Sequence, residues 1–295
     1  MPEFDQPAER DPATGGQPEF LPKAYDNPEF LHSANARTIR MLAEYLEPQM
    51  RLRHHKVRGT IVFFGSARAL APEELEDHVK LAQQPPSGMN APDAEQVQRT
   101  VAFMRRMSKY YEDAVRLSSM LTTYFQKLPD PRFRHIVCSG GGPGIMEAAN
   151  RGAVHAGGKT VGLGISLPLE QGANRFLDPR LTFEFHYFFM RKYWFVYLAK
   201  ALVIFPGGFG TMDELFEVLT LIQTHKLKKR LPVVLYGSEY WNDVIDFKSM
   251  VKWMVVSPSD LELFRICDTP EKAYEFLTTH VLSGADQELQ ESPTE

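Results

Sequence analysis

The sequence predicts an α/β protein, a Rossmann-like, doubly wound and mainly parallel sheet in one domain behind an N-terminal helical extension. Three observations carry this. From Thr60 onward, short apolar runs alternate with segments of helical period, the sequence form of βαβ units. Two glycine-rich segments each follow an apolar run and open a helical one, as phosphate-binding turns do. The composition, 295 residues with 33 Lys+Arg against 37 Asp+Glu and 43% hydrophobic, is that of an ordinary globular chain, which excludes the disordered and fibrous classes.

In chain order, residues 1–26 mix Pro, Gly, Gln and acids without period and read as an unstructured acidic tail. The string PEFL occurs at 18–21 and again at 28–31, too little for a repeat architecture. Asn27 suits an N-cap and Pro28 the first helical position. Leu31, Ala34, Leu42, Tyr45 and Leu46 then form an apolar stripe, so 27–56 reads as a helical extension packed on the main domain. The domain itself spans 57–283. Strands are expected at 60–64, 135–138, 160–165, 181–185, 201–205 and 232–236. The first crossover is long, with a short helix at 75–82, a loop at 84–92, and a long amphipathic helix whose apolar positions step from Val97 to Leu128. Such a helix either spans the domain or helps build an oligomer face. Residues 284–295 read as a second acidic tail.

Charge and cysteine usage narrow the classes. The first 28 residues and the last twelve each carry −4, so the body between them is +4 although the whole chain is −4. Neither sum suggests nucleic acid as a partner. No apolar run approaches the roughly 20 residues of a membrane helix, and the acidic, Pro-rich start does not resemble a secretory signal. Cys138 and Cys267 are far apart, without CxxC or Cys/His spacing, so neither a disulfide framework nor a zinc site is expected. A reducing cytoplasm follows as the expected location.

The candidate ligand site lies in the glycine loops. Ser139-Gly140-Gly141-Gly142-Pro143-Gly144 and Pro206-Gly207-Gly208-Phe209-Gly210-Thr211 both sit between strand and helix, and Gly65-Ser66 follows the first strand. All three fall at the carboxyl edge of one parallel sheet, where backbone N–H groups and helix N-termini favour an anion. A single loop of this kind could serve only as a tight turn; together they favour a nucleotide or sugar phosphate. Neither loop fits GxGxxG, since Ile145 takes the last glycine position, and Gly158-Lys159-Thr160 runs helix to strand, the reverse of a P-loop.

Charged residues flank the second loop. Thr211 and Glu214 fit a capping box, and Asp213 and Glu217 suit the positive end of a helix. A carboxylate one turn beyond a phosphate loop could equally meet a nucleotide sugar. Arg191 and Lys192 close an aromatic run, either as a solvated basic pair or as partners of a phosphate. His186 and His225 read as ordinary lone histidines.

Taken together these segments resemble the Lonely Guy family of nucleoside 5′-monophosphate phosphoribohydrolases, which activate cytokinins and in bacteria also cleave AMP. PGGFGTMDE, residues 206–214, matches the family's PGGxGTxxE motif; MRK, 190–192, resembles its Arg-Lys pair; and FGSAR and SGGGPGIMEAANRGA look like its first two phosphate-edge loops. The resemblance implies Arg191 and Glu214 as the catalytic pair. It implies substrate contacts from Ser66, Gly141, Gly142, Glu170, Lys192, Gly207, Gly208, Phe209, Gly210, Thr211 and Thr220. Glu214 would stabilise an oxocarbenium-like ribose and orient water, Arg191 would hold phosphate or assist the departing base, and the loop backbone would anchor the 5′-phosphate. No cofactor or metal is implied, and a homodimer or larger homo-oligomer is expected. The N-terminal helix and long crossover exceed the compact plant-type pattern, which favours a longer bacterial-type member acting on AMP or another purine nucleotide. Two other readings remain. One is a non-catalytic nucleotide or cofactor carrier, as in the similar molybdenum-cofactor carriers. The other is a pyridoxal-phosphate enzyme using Lys192 or Lys200, for which no cofactor-lysine motif is visible.

Overall fold

The structure, a computed structural model, describes residues 23–83, 93–166 and 172–291, with side chains to residue 282. The tail at 1–22, the loop at 84–92 and the segment carrying Glu170 lie outside the described residues. The chain divides into two compact units, Met1–Ala43 and Glu44–Glu295.

In the first unit Asn27 caps a short helix, α1 (Pro28–His32), its side-chain oxygen accepting from Phe30 N at 3.1 Å. The chain breaks at Ser33, where Arg40 donates to the carbonyls of Leu31 and Ser33, so the expected single helical stripe is interrupted before α2 (Arg37–His54). The second unit begins within α2.

That unit is built on seven parallel strands: β1 (Thr60–Phe64), β2 (Ile136–Ser139), β3 (Thr160–Ile165), β4 (Thr182–Phe185), β5 (Ala199–Ile204), β6 (Val233–Tyr236) and β7 (Arg265–Cys267). Their order in the sheet is β4-β3-β2-β1-β5-β6-β7. The chain therefore starts in the middle, winds to one edge, and returns beside β1 as β5 before winding to the other edge. Six strands fall where the sequence predicts them, within two residues at each end. The seventh, β7, is three residues long and begins with an exposed arginine, too short for a periodic signal.

Between the strands run α3 (Pro72–Gln83), α4 (Ala94–Lys127), α5 (Ile145–His155), α6 (Phe188–Tyr197), α7 (Phe209–Gln223), α8 (Ser238–Val244), α9 (Phe247–Lys252) and α10 (Pro270–Glu291). The long crossover helix α4 is a core element. Its Tyr111, Ala114, Leu117, Leu121 and Phe125 are almost fully buried against Ile61, Phe63, Val137, Ala148 and Ala153. From Met107 onward the stripe is thus spent inside the subunit, while Val97, Val101 and Met104 nearer its start stay half-buried. The helix α10 runs seven residues beyond Gly284, where the sequence suggested a tail, because the run from Ala285 is rich in helix formers. Among the described residues no helix is long and apolar enough to cross a membrane.

Candidate active site

In an open parallel sheet the crevice for ligands lies outside the carboxyl ends of the two strands where the winding reverses. Here these are β1 and β5. The loops that follow them are tied together, Ser66 N donating to Pro206 O at 2.9 Å. A cavity of about 800 Å³ opens there, with Ser66, Arg191, Gly207, Gly208, Phe209, Gly210, Thr211 and Glu214 on its wall.

The two long glycine loops differ in what they leave open. At the first, Ile145 N donates to Ser66 O at 3.0 Å, so the β1 loop plugs the start of α5. Gly144 sits at φ +70°, and a Cβ there would run into the Ser66 carbonyl and Ala67, so this contact requires glycine. Asn174 Nδ2 donates to the carbonyls of Gly141 and Gly142, both at 3.0 Å. Of this loop Gly140 and Met146 reach the cavity, while Gly141 and Gly142 do not line it.

The second loop is open. Helix α7 starts at Phe209 with Gly208 as N-cap, and its first intrahelical bond is Met212 N to Gly208 O at 3.0 Å. The N–H groups of Phe209, Gly210 and Thr211 are left at the helix end with its positive partial charge, facing the cavity. Gly207 lies so close to the Thr211 side chain that a Cβ would overlap it. Tyr240 OH donates to Gly207 O at 2.5 Å and pins the loop from α8.

This start of α7 removes the capping box. Thr211 stands at the third helical position and Glu214 at the sixth, too far into the helix to cap it. Glu214 instead is 3% exposed and turned to the cavity, and neither carboxylate oxygen accepts a hydrogen bond among the described residues. Arg191 Nη2 lies 3.8 Å and Lys192 Nζ 3.7 Å from its Oε1. Burial pushes the Glu214 pKa up to about 7, against the pull of Lys192 and Arg191 and with a push from Glu217 and Asp213.

Arg191 reaches the cavity from α6, where its guanidinium packs over Phe188 and Phe195 at 5.3 and 5.6 Å from the ring centroids. Helix α6 has no cap of its own. The Glu44 carboxylate receives the amides of His186 at 2.8 Å and Tyr187 at 3.3 Å, and Trp194 Nε1 donates to Glu44 O at 3.0 Å. Glu44, midway along α2, thus fixes the helix that carries Arg191.

Lys192 points away from the cavity, its Nζ 2.7 Å from both Asp213 Oδ2 and Glu217 Oε2. Thr220 is exposed three turns along α7 and donates to Phe216 O. Neither lines the cavity. Sequence reasoning missed Arg68, Phe103, Arg106 and Tyr240, which do. Arg68 was legible in the FGSAR run; the others arrive on α4 and α8, with Arg106 and Glu239 paired at 3.2 Å between those helices. Among the described residues no three His, Cys, Asp or Glu side chains converge as a metal site.

The sequence model of a family described as "Possible lysine decarboxylase" matches residues 146–277. The cytokinin riboside 5′-monophosphate phosphoribohydrolase LOG7 of Arabidopsis thaliana is 28% identical over 189 residues, 59% of this chain and 80% of that protein. LOG3 of the same plant, of the same name, is 30% identical over 164 residues, 54% of this chain and 69% of that protein. Among solved structures, the molybdenum cofactor carrier protein of Chlamydomonas reinhardtii superposes over 77% of this chain and 99% of that one, at 18% identity and a TM-score of 0.41. With over two thirds of LOG3 covered at 30% identity, the chain belongs to the Lonely Guy family, that of the cytokinin riboside 5′-monophosphate phosphoribohydrolases.

Proposed function

We propose that this chain hydrolyses the N-glycosidic bond of a purine or cytokinin nucleoside 5′-monophosphate, releasing free base and ribose 5-phosphate, with AMP or another purine nucleotide favoured. One observation carries the reading: Glu214 is a buried carboxylate with both oxygens free of hydrogen bonds among the described residues, facing a cavity one helical turn from an open set of backbone N–H donors. A binding protein has no use for such a group, whereas bond cleavage at the anomeric carbon does.

The 5′-phosphate would sit on the amides of Phe209, Gly210 and Thr211 with Ser66 opposite, so that its binding energy places the sugar against Glu214. As the bond from the anomeric carbon to the base nitrogen breaks, positive charge develops on the ribose and the carboxylate stabilises it. A water oxygen then bonds to the anomeric carbon, and its proton leaves with the base. Arg191 would neutralise the phosphate or the departing base. The free, buried Cys138 and Cys267 suit a reducing cytoplasm.

A panel of nucleoside monophosphates, assayed by chromatography for released base, tests this directly. Release of adenine and ribose 5-phosphate from AMP is expected, and Glu214→Gln should slow it by about a hundred- to ten-thousand-fold. Tight binding of nucleotides with no release would instead indicate a carrier.

A further inference from the structure

We propose that Lys192 is a positioning residue for Glu214 and not a ligand of the substrate: from the side away from the cavity it keeps the carboxylate ionised and in place, leaving Arg191 free to meet the bound anion. The proposal rests on reading Glu214 as the catalytic carboxylate.

Consecutive residues on a helix diverge by about 100°. Arg191 and Lys192 are consecutive on α6, so they cannot serve one cavity from the same face. Arg191 lines the main cavity, while Lys192 lines a separate hollow of about 580 Å³ with Tyr193, Tyr197 and Leu221. The two cations nevertheless stand at 3.8 and 3.7 Å from the same Glu214 oxygen.

Their other partners differ. The Lys192 ammonium has three N–H donors, two engaged at 2.7 Å by Asp213 and Glu217, with Glu214 as its third neighbour. Nothing is left for a substrate. Arg191 has Glu214 as its one ion-pair partner among the described residues, and its Nε makes no hydrogen bond. A substrate phosphate can therefore draw Arg191 off Glu214, and Lys192 alone would then oppose reprotonation of the buried carboxylate.

Asp213 and Glu217 set how much of that cation Glu214 feels. They lie on the same turn of α7, Glu217 three residues beyond Glu214, and both compete for Lys192 while repelling Glu214. The charged groups facing Glu214 are thus Arg191 and Lys192 from α6 and Asp213 and Glu217 from α7, with Glu184 of β4 acting on Arg191. Burial opposes the Lys192 charge, yet the hydrogen bonds to Asp213 and Glu217 and the charge of Glu214 outweigh it and hold the pKa above the usual lysine value.

The full-length protein labelled with 13C at glutamate Cδ tests this by NMR titration, the Glu214 signal being assigned by its loss in Glu214→Gln. Lys192→Met should move the Glu214 midpoint up by about one pH unit or more. Glu217→Gln should move it down, by removing a like charge and freeing Lys192, and Lys192→Arg should hold it near the parent value. Ribose 5-phosphate affinity, measured by calorimetry, should not change in Lys192→Met. A midpoint unmoved in Lys192→Met, an upward move in Glu217→Gln, or lost ribose 5-phosphate affinity in Lys192→Met would each overturn the proposal. The titration needs no turnover. If the midpoints move as expected while no nucleotide is cleaved, the activity assignment fails and the Lys192 assignment stands.

Discussion

Glu214 reconciles two demands that conflict in water. A carboxylate that stabilises a cation must be ionised, and its effect is strongest where water is excluded, which is also where ionisation is least favourable. With burial raising its pKa to about 7, its charged form is gained across neutral pH. If hydrolysis needs that form, kcat/KM for AMP should rise with pH along a limb centred near 7, and the limb should vanish in Glu214→Gln. The stability consequence has the opposite sign. The folded protein binds the Glu214 proton more tightly than the unfolded chain, whose value is near 4.5, so stability falls as pH rises from about 4.5 to about 7 and stays lower above that. Glutamine mimics the protonated form and escapes this loss. Glu214→Gln should therefore melt close to the parent at pH 5 and higher at pH 8, by a margin on the order of 1–3 kcal/mol. A variant that gains activity loss and thermal stability together, only above neutral pH, would mark a strained functional group; equal melting at both pH values would refute the raised pKa.

At the scale of elements, the site depends on loops held from behind. Asn174 is buried, its side-chain oxygen accepts from Phe176 N, and its amide donates to Gly141 O, Gly142 O and Asn150 Oδ1. Ser139 Oγ completes the cluster by donating to Asn150 Oδ1 and receiving Gly141 N. Asn174→Ala removes the side-chain donor from both carbonyls, Gly141 O keeping only the Asn174 backbone N–H, which should cost about 1–3 kcal/mol in a denaturant melt and loosen Gly140 at the cavity edge. KM for the nucleotide should rise more than kcat falls, since Glu214 and Arg191 stand on other elements. The strands and α4 were legible because a period of two or of three to four survives in the residues themselves. Where α7 begins was not, because Thr211 and Glu214 satisfy a capping pattern that the backbone does not use; Gly208 starts the helix three residues earlier. Phe103, Arg106 and Tyr240 could not be read locally, since only the packing of α4 and α8 over the switch point brings them to the cavity. The divergence of Arg191 and Lys192 follows from their adjacency only once α6 is known to be a helix.

For the whole molecule, helix α6 raises a question that one subunit does not answer. Its inner face buries Met190, Trp194 and Phe195. On its outer face Phe189, Tyr193 and Tyr197 recur every four residues and remain 52%, 36% and 47% exposed, with Phe216 of α7 at 38%. Helical stripes of this kind usually face a core, and contiguous exposed aromatic surface marks an interaction site. Tyr193 and Tyr197 are already stacked at 5.2 Å, so little side-chain entropy is left to lose on docking. The homo-oligomer expected from the sequence would cover this face with a second copy, placing the contact on the helix that also carries Arg191. Sedimentation velocity at micromolar concentration should then show a dimer or larger species for the parent protein. Tyr197→Glu with Phe189→Ser should shift it toward monomer without lowering the melting temperature, because neither side chain is part of the buried core. Were the parent a monomer at these concentrations, the exposed stripe would have to answer to a partner other than this chain.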